Sequence, residues 1–205
     1  MGIADTSIAA ASAAFSGFAA FAAWRASREA NATAASVAQI ERDRWHRELT
    51  PRLRIRVDVN QQMLYLIFDG PVALRRLHIE LQVRDDRDRS GDVELGGGPT
   101  AAQRAEVIWG PYQFRRGNDS VHELGRSAGP LTLDAHDVTK VALDPTMRPR
   151  WYEGAAGEER WRSQYYDTPM RLWADCQAEG HKPWRLSFEA PADGTWAETG
   201  SITRL

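Results

Sequence analysis

The run from Ile8 to Trp24 constrains this chain more than any other feature, because it contains no charged side chain and only Ser12 and Ser16 as hydroxyl-bearing members. As a helix, its seventeen residues would span roughly 26 Å, at the short end of what crosses a bilayer core. Alanine adds little transfer free energy, so insertion into lipid would rest on Ile8, Phe15, Phe18, Phe21 and Trp24. The segment therefore reads as a transmembrane helix, residues 8–24, preceded by an N-terminal tail, residues 1–7. Two other readings compete with it. A cleaved signal peptide would carry Lys or Arg ahead of the apolar run, where residues 1–7 offer only Asp5. A helix buried against protein is the other, and an alanine-rich run serves that purpose too.

The flanking charges assign a side. Arg25, Arg28, Arg42, Arg44 and Arg47 follow the run and no basic side chain precedes it. The positive-inside bias then makes the chain a single-span protein of the plasma (inner) membrane with its C-terminal part in the cytoplasm. Ala9, Ala13 and Gly17 recur at i, i+4 and i+8 on one face, with Ser12, Ser16 and Ala20 beside them. That spacing lets two spans approach and form a homo-oligomer, and it also arises by chance in an alanine-rich stretch. Residues 25–50 read as a helical stalk, rich in Ala, Glu, Arg and Gln and free of Gly and Pro. Val37, Ile40 and Trp45 give it an apolar edge too short for a coiled coil of several heptads. Thr50-Pro51 ends it, since the residue before proline is pushed out of helical geometry.

Beyond Pro51 the period changes from helical to two. Leu53, Ile55, Val57 and Val59 alternate with Arg52, Arg54, Arg56 and Asp58, and Leu77, Ile79, Leu81 and Val83 alternate with His78, Glu80, Gln82 and Arg84. Between them, Met63 to Phe68 is an unbroken apolar run, read as a strand covered on both faces, and Asp69-Gly70-Pro71 is a turn. Glu106–Trp109 and Tyr112–Phe114 read as a bent strand around Gly110-Pro111, and residues 115–130 as a long loop. Leu131–Leu133 and Lys140–Leu143 read as short strands, Glu158–Tyr166 as a short helix with Trp161 and Tyr165 on one side. Arg171–Gln177 and Trp184–Glu189 close a hairpin. The expected fold is mainly β, an antiparallel β-sandwich over residues 51–191 with a C-terminal tail at 192–205.

Composition agrees with one folded domain plus an appendage: 205 residues, 42% hydrophobic and 26% charged, with eight tryptophans. A net charge of −2 supplies no cationic field, so no nucleic-acid partner is expected. Cys176 is the only cysteine, which excludes an intrachain disulfide, and its place among Met170, Leu172 and Ala174 makes it a small inward hydrophobe.

The motif search gives little chemistry. Asp86-Arg-Asp88-Arg-Ser90-Gly91 opens like a calcium loop, but Gly97 stands where the bidentate glutamate belongs. His46, His78, His122, His136 and His181 show no metal-ligand spacing, and Gly96-Gly97-Gly98-Pro99 has no phosphate-binding lysine beside it. No catalytic residue, metal or cofactor is expected. Asp69, His78, Asp119, His122 and Asp137 are what an enzyme or ligand site built from loops would have to use. Arginine beside aromatic residues is more suggestive: Tyr112 with Arg115 and Arg116, Arg150 with Trp151, and Trp161 with Arg162. Such pairs dominate partner surfaces and also stack inside domains. They are the candidate surface for a protein partner.

The segments Arg44–Pro51 (RWHRELTP), Val107–Phe114 (VIWGPYQF), Trp161–Tyr165 (WRSQY) and Met170–Trp173 (MRLW) resemble a group of actinobacterial, Streptomyces-type, single-span membrane proteins of unknown function. The resemblance implies an N-terminal hydrophobic helix, a charged helical stretch and a β-rich remainder, and it implies no activity.

Overall fold

The computed structural model describes residues 3–86, 98–117, 119–199 and 202–203; for residues 3–22 and 202–203 it describes the backbone only. The chain divides into two compact units, Met1–Glu48 and Leu49–Leu205.

The first unit is one unbroken helix, α1 (Ile3–Glu48, 46 residues). The expected span and stalk are thus one element with no break at Trp24. Exposed pairs line its surface, Arg25–Glu29 at 3.3 Å and Arg44–Glu48 at 2.8 Å, each with the cation N-terminal, the weaker orientation on a helix, worth a few tenths of a kcal/mol at most. Among the described residues no helix is long and apolar enough to cross a membrane. The side chains of the run from Ile8 as far as residue 22, with Ala9, Ala13 and Gly17 among them, lie outside that description.

The second unit is mainly β. Its strands are β1 (Arg52–Asp58), β2 (Met63–Gly70), β3 (Arg76–Val83), β4 (Tyr112–Phe114), β5 (Ser127–Asp134), β6 (Val138–Pro145), β7 (Met170–Gln177), β8 (Trp184–Ala190), β9 (Ala197–Glu198) and β10 (Ile202–Thr203). They form two antiparallel five-stranded sheets, in the orders β4-β6-β2-β1-β9 and β10-β8-β7-β3-β5. One core joins the inward faces of both: Leu53, Ile55, Val57, Leu64, Leu66 and Phe68 from the first, with Leu77, Ile79, Leu81, Leu172, Leu186 and Phe188 from the second. That is a β-sandwich, produced where strands with a period of two bury one face each against the other.

Register follows from the same pattern. Ile55 stands opposite Leu66, and Ile79 opposite Cys176, so a slip of one residue would send the buried set outward. Cys176 is fully buried, and burial pushes its thiol far above the ordinary range, so it packs as a neutral hydrophobe.

Several expectations are corrected. Val59 is exposed and lies past the end of β1. Glu106–Trp109 is no strand: α2 (Ala101–Glu106) ends there, started by a capping box in which Thr100 and Gln103 bond each other's backbone. The loop over 115–130 gives way to β5 at Ser127. Residues 192–205 supply β9 and β10, one strand to each sheet. The helix at Glu158–Tyr166 is α3 (Gly154–Trp161) continued by a π-helical turn over Arg162–Tyr166.

Leu66 is fully buried in β2, at the centre of the first sheet. Leu66→Ala should lower the stability of the β unit by about 2–5 kcal/mol. Urea titration followed by far-UV circular dichroism would show this as a lower midpoint at unchanged slope.

Candidate interaction surfaces

The sequence-derived partner residues divide by burial. Tyr112 and Trp161 are each 4% exposed and belong to the interior. Burial raises the Tyr112 phenol above its usual range, so its hydroxyl stays protonated. Arg115 is exposed but engaged: its guanidinium meets Asp144 at 2.8 Å, Gln62 Oε1 at 2.9 Å and the Leu143 carbonyl at 2.9 Å. Arg116, Arg150, Trp151 and Arg162 are exposed, with Arg162 3.9 Å from Glu158. They do not form one surface with the buried pair.

Trp161 belongs to a second hydrophobic cluster with Trp109, Tyr152 and Tyr165. Ring centroids lie 4.8 Å apart for Trp161–Tyr165, 5.1 Å for Trp109–Tyr165 and 5.5 Å for Tyr152–Trp161, all tilted or edge-on, the arrangements that suit aromatic quadrupoles. The π turn sets the Trp161–Tyr165 pair, and the Trp109 indole N–H donates to the Arg104 carbonyl at 3.3 Å. Arg126 fastens the end of α2 by donating to the carbonyls of Ala105 and Val107. Gly157 makes the cluster possible, since a Cβ there would lie 2.5 Å from the Tyr152 carbonyl carbon.

The five acid and histidine candidates do not converge on one site. Asp69 is held by Arg54 through two bonds, at 2.5 and 2.8 Å. The His78 ring nitrogen Nδ1 lies 3.0 Å from Thr132 Oγ1, and the His122 Nδ1 accepts from the Leu124 N–H. Asp137 accepts from the Asp134 N–H within its own turn, and Asp119 is exposed in another. Asp69 and Asp137 are linked only indirectly, the Phe68 N–H donating to the Asp137 carbonyl. No cluster that could hold a metal occurs among the described residues. Of the suspected calcium loop, Asp86 is held by Arg84 and Arg171, and the rest, residues 87–97, lies outside the described residues.

Arg28 stacks on Trp24 within α1 and Arg160 on Tyr152, but sequence reasoning missed the arginine–aromatic stacks on the sheet faces, because those pair residues across strands. On the outer face of the second sheet, Trp173 lies between Arg84 and Arg185, each 5.1 Å from its ring. Carboxylates balance this group: Asp86 and Glu189 meet both Arg84 and Arg171, and Asp175 lies 3.3 Å from Arg185. The outer face of the first sheet differs. Arg56, Tyr65 and Lys140 stand directly opposite one another across β1, β2 and β6. Arg56 lies 4.6 Å from the Tyr65 ring and 5.0 Å from the Trp196 ring, and Lys140 approaches Tyr65 from beyond at 5.1 Å. Tyr65 is only 9% exposed beneath them, which explains why the apolar run of β2 looks covered on both faces: side chains, not a further layer, cover it.

No protein-family model, curated protein or solved structure matches this chain.

Two outcomes test this geometry. Gly157→Ala should force α3 away from Tyr152, lowering stability by about 1–3 kcal/mol and weakening the near-UV circular dichroism of the aromatic cluster. Asp69 titrates below its usual value, chiefly through the hydrogen bond from Arg54. A carboxylate depressed on folding adds stability above its unfolded pKa and loses it as pH falls through the folded one. Asp69→Asn should therefore be less stable than the parent at pH 7, and denaturant midpoints of the two should converge as the pH falls below the ordinary carboxylate range, through the lowered folded value.

Proposed function

We propose that this chain is a membrane-tethered, cytoplasm-facing β-sandwich that serves as an interaction or scaffold module, of the actinobacterial single-span type its sequence resembles. The observation that carries the tether is the uncharged run Ile8–Trp24, placed within one continuous helix and followed on one side only by arginines. Its large side chains supply apolar area to lipid, and the arginines set its sidedness. An interaction role fits a domain whose candidate acids and histidines are each engaged in local bonds or solvated, and whose first sheet presents cations and rings outward. A loop-built enzyme has less support, since those groups do not meet.

Fractionation of cells making the full chain, or a version lacking residues 1–24, tests the tether. The full chain should stay with membranes through salt and alkaline washes and leave only in detergent, while the shortened one should be soluble. A full chain recovered soluble as a monodisperse oligomer without detergent would sink the tether and favour a helix packed on protein. Protease added outside intact spheroplasts should spare the β unit, and cleavage there would overturn the assigned side.

A further inference from the structure

Four of the six arginines on the described strands of the β unit are matched by carboxylates: Arg54 by Asp69, Arg76 by Asp134, Arg171 by Asp86 and Glu189, and Arg185 by Asp175. Arg52, at the start of β1, and Arg56 are not, and neither is Lys140 of β6. Among the described residues neither Arg56 nor Lys140 makes an ion pair; the Arg56 Nε is buried with no hydrogen-bond acceptor, as are Arg171 Nη1 and Arg185 Nε on the other sheet, but those two arginines have carboxylates beside them. Arg56 is nonetheless held in place between two rings and Lys140 over one. The rings hold the guanidinium and cover its Nε, and its two terminal nitrogens, which are not among the buried unpartnered atoms, are the donors left to meet a carboxylate.

The neighbouring row on the same face is apolar at two of its three positions, the third being the paired Arg54. Ile67 lies opposite both Arg54 and Val138, and Val138 is 54% exposed. Trp196, 37% exposed, closes the strip on the β1 side, where it also meets Arg54 at 5.5 Å. Of the nearby acids, Asp69 and Asp144 hold Arg54 and Arg115, Glu198 faces Arg54, and Asp58, two residues along β1, bonds the Gln61 N–H and makes no ion pair with Arg56. The face is thus a flat strip with two uncompensated, pre-positioned cations beside exposed apolar surface.

We propose, on the basis of the interaction-module reading above, that this strip docks an acidic segment of a partner protein, with an Asp or Glu carboxylate received by Arg56 and Lys140 and an adjoining apolar side chain set against Val138 and Ile67. Charge complementarity selects the occupant. A strip of two cations is too small for the phosphate-by-phosphate neutralisation that holds nucleic acid or an anionic bilayer, and the apolar row calls for a side chain beside the acid. Since the cations are already ordered, a ligand that meets them loses little further side-chain freedom on binding.

The test pans a display library of short random peptides on the detergent-solubilised full chain. Enriched peptides are then measured by fluorescence anisotropy against the parent, Arg56→Gln and Lys140→Gln. Expected are sequences with Asp or Glu beside an apolar residue, binding about three- to fivefold weaker to Lys140→Gln and about tenfold or more weaker to Arg56→Gln. Lys140 is exposed and its loss leaves the fold intact, so that variant keeps the test decisive if Arg56→Gln unfolds. Enrichment without acidic residues, or equal affinity for Lys140→Gln, overturns the proposal. Phosphatidylserine vesicles and a single-stranded oligonucleotide serve as rival probes, and Lys140-dependent binding to either without acidic peptides assigns the strip to another occupant. Because membrane fractionation is independent of these residues, a tethered chain that selects no acidic peptide fails this inference alone, and a soluble chain that selects them fails only the tether.

Discussion

The β unit depends on one constraint: two sheets, each apolar on one side, must bury those sides against each other. Leu53, Ile55 and Val57 of β1 and Leu77, Ile79 and Leu81 of β3 belong to one shared core. Each fully buried aliphatic side chain contributes about 1.5–3 kcal/mol relative to exposure. Register, strand order and the inward place of Cys176 all follow, because a shift of one residue would expose the whole set.

Burying one face leaves the other to be managed, and the two sheets manage it differently. The second sheet builds a neutral lattice around Trp173, in which Arg84, Arg171 and Arg185 have Asp86, Glu189 and Asp175 as partners. Asp175 shows the cost: burial raises its carboxyl against the pull of Arg185. The first sheet uses the same parts, rings below and cations above, but among the described residues Arg56 and Lys140 make no ion pair. Two faces of one sandwich thus share a vocabulary and differ in their bookkeeping of charge.

What the sequence makes legible is what local periodicity encodes. The alternation Leu53–Val57 and Leu77–Leu81, the hairpin of β7 and β8 and the inward Cys176 could all be read because each strand carries its own signal. Elements defined by few residues were not legible, such as β9 and β10 with two each. The capping box at Thr100 and Gln103 was a readable signature that the apolar pattern of Val107–Trp109 obscured. The exposed stacks were harder still. Adjacency in sequence pointed to Tyr112 and Trp161, which are interior, whereas Arg56, Tyr65, Lys140 and Trp196 come together only through strand pairing and the approach of the segment before β9. Cation–ring stacks across strands are tertiary facts with no linear trace.

The short strands at the sheet margins carry a consequence for how this domain can be approached. One sheet ends in β4, of three residues, and β9, of two; the other ends in β10, of two, and β5, which is broken by Pro130 and an irregular register beside Ile79 and Leu81. Such margins offer little continuous backbone for another chain to extend by strand addition. The described margins thus give further copies of the domain little main chain to pair with and so oppose growth into fibres, and they leave the flat sides, with their side chains, as the larger continuous surfaces.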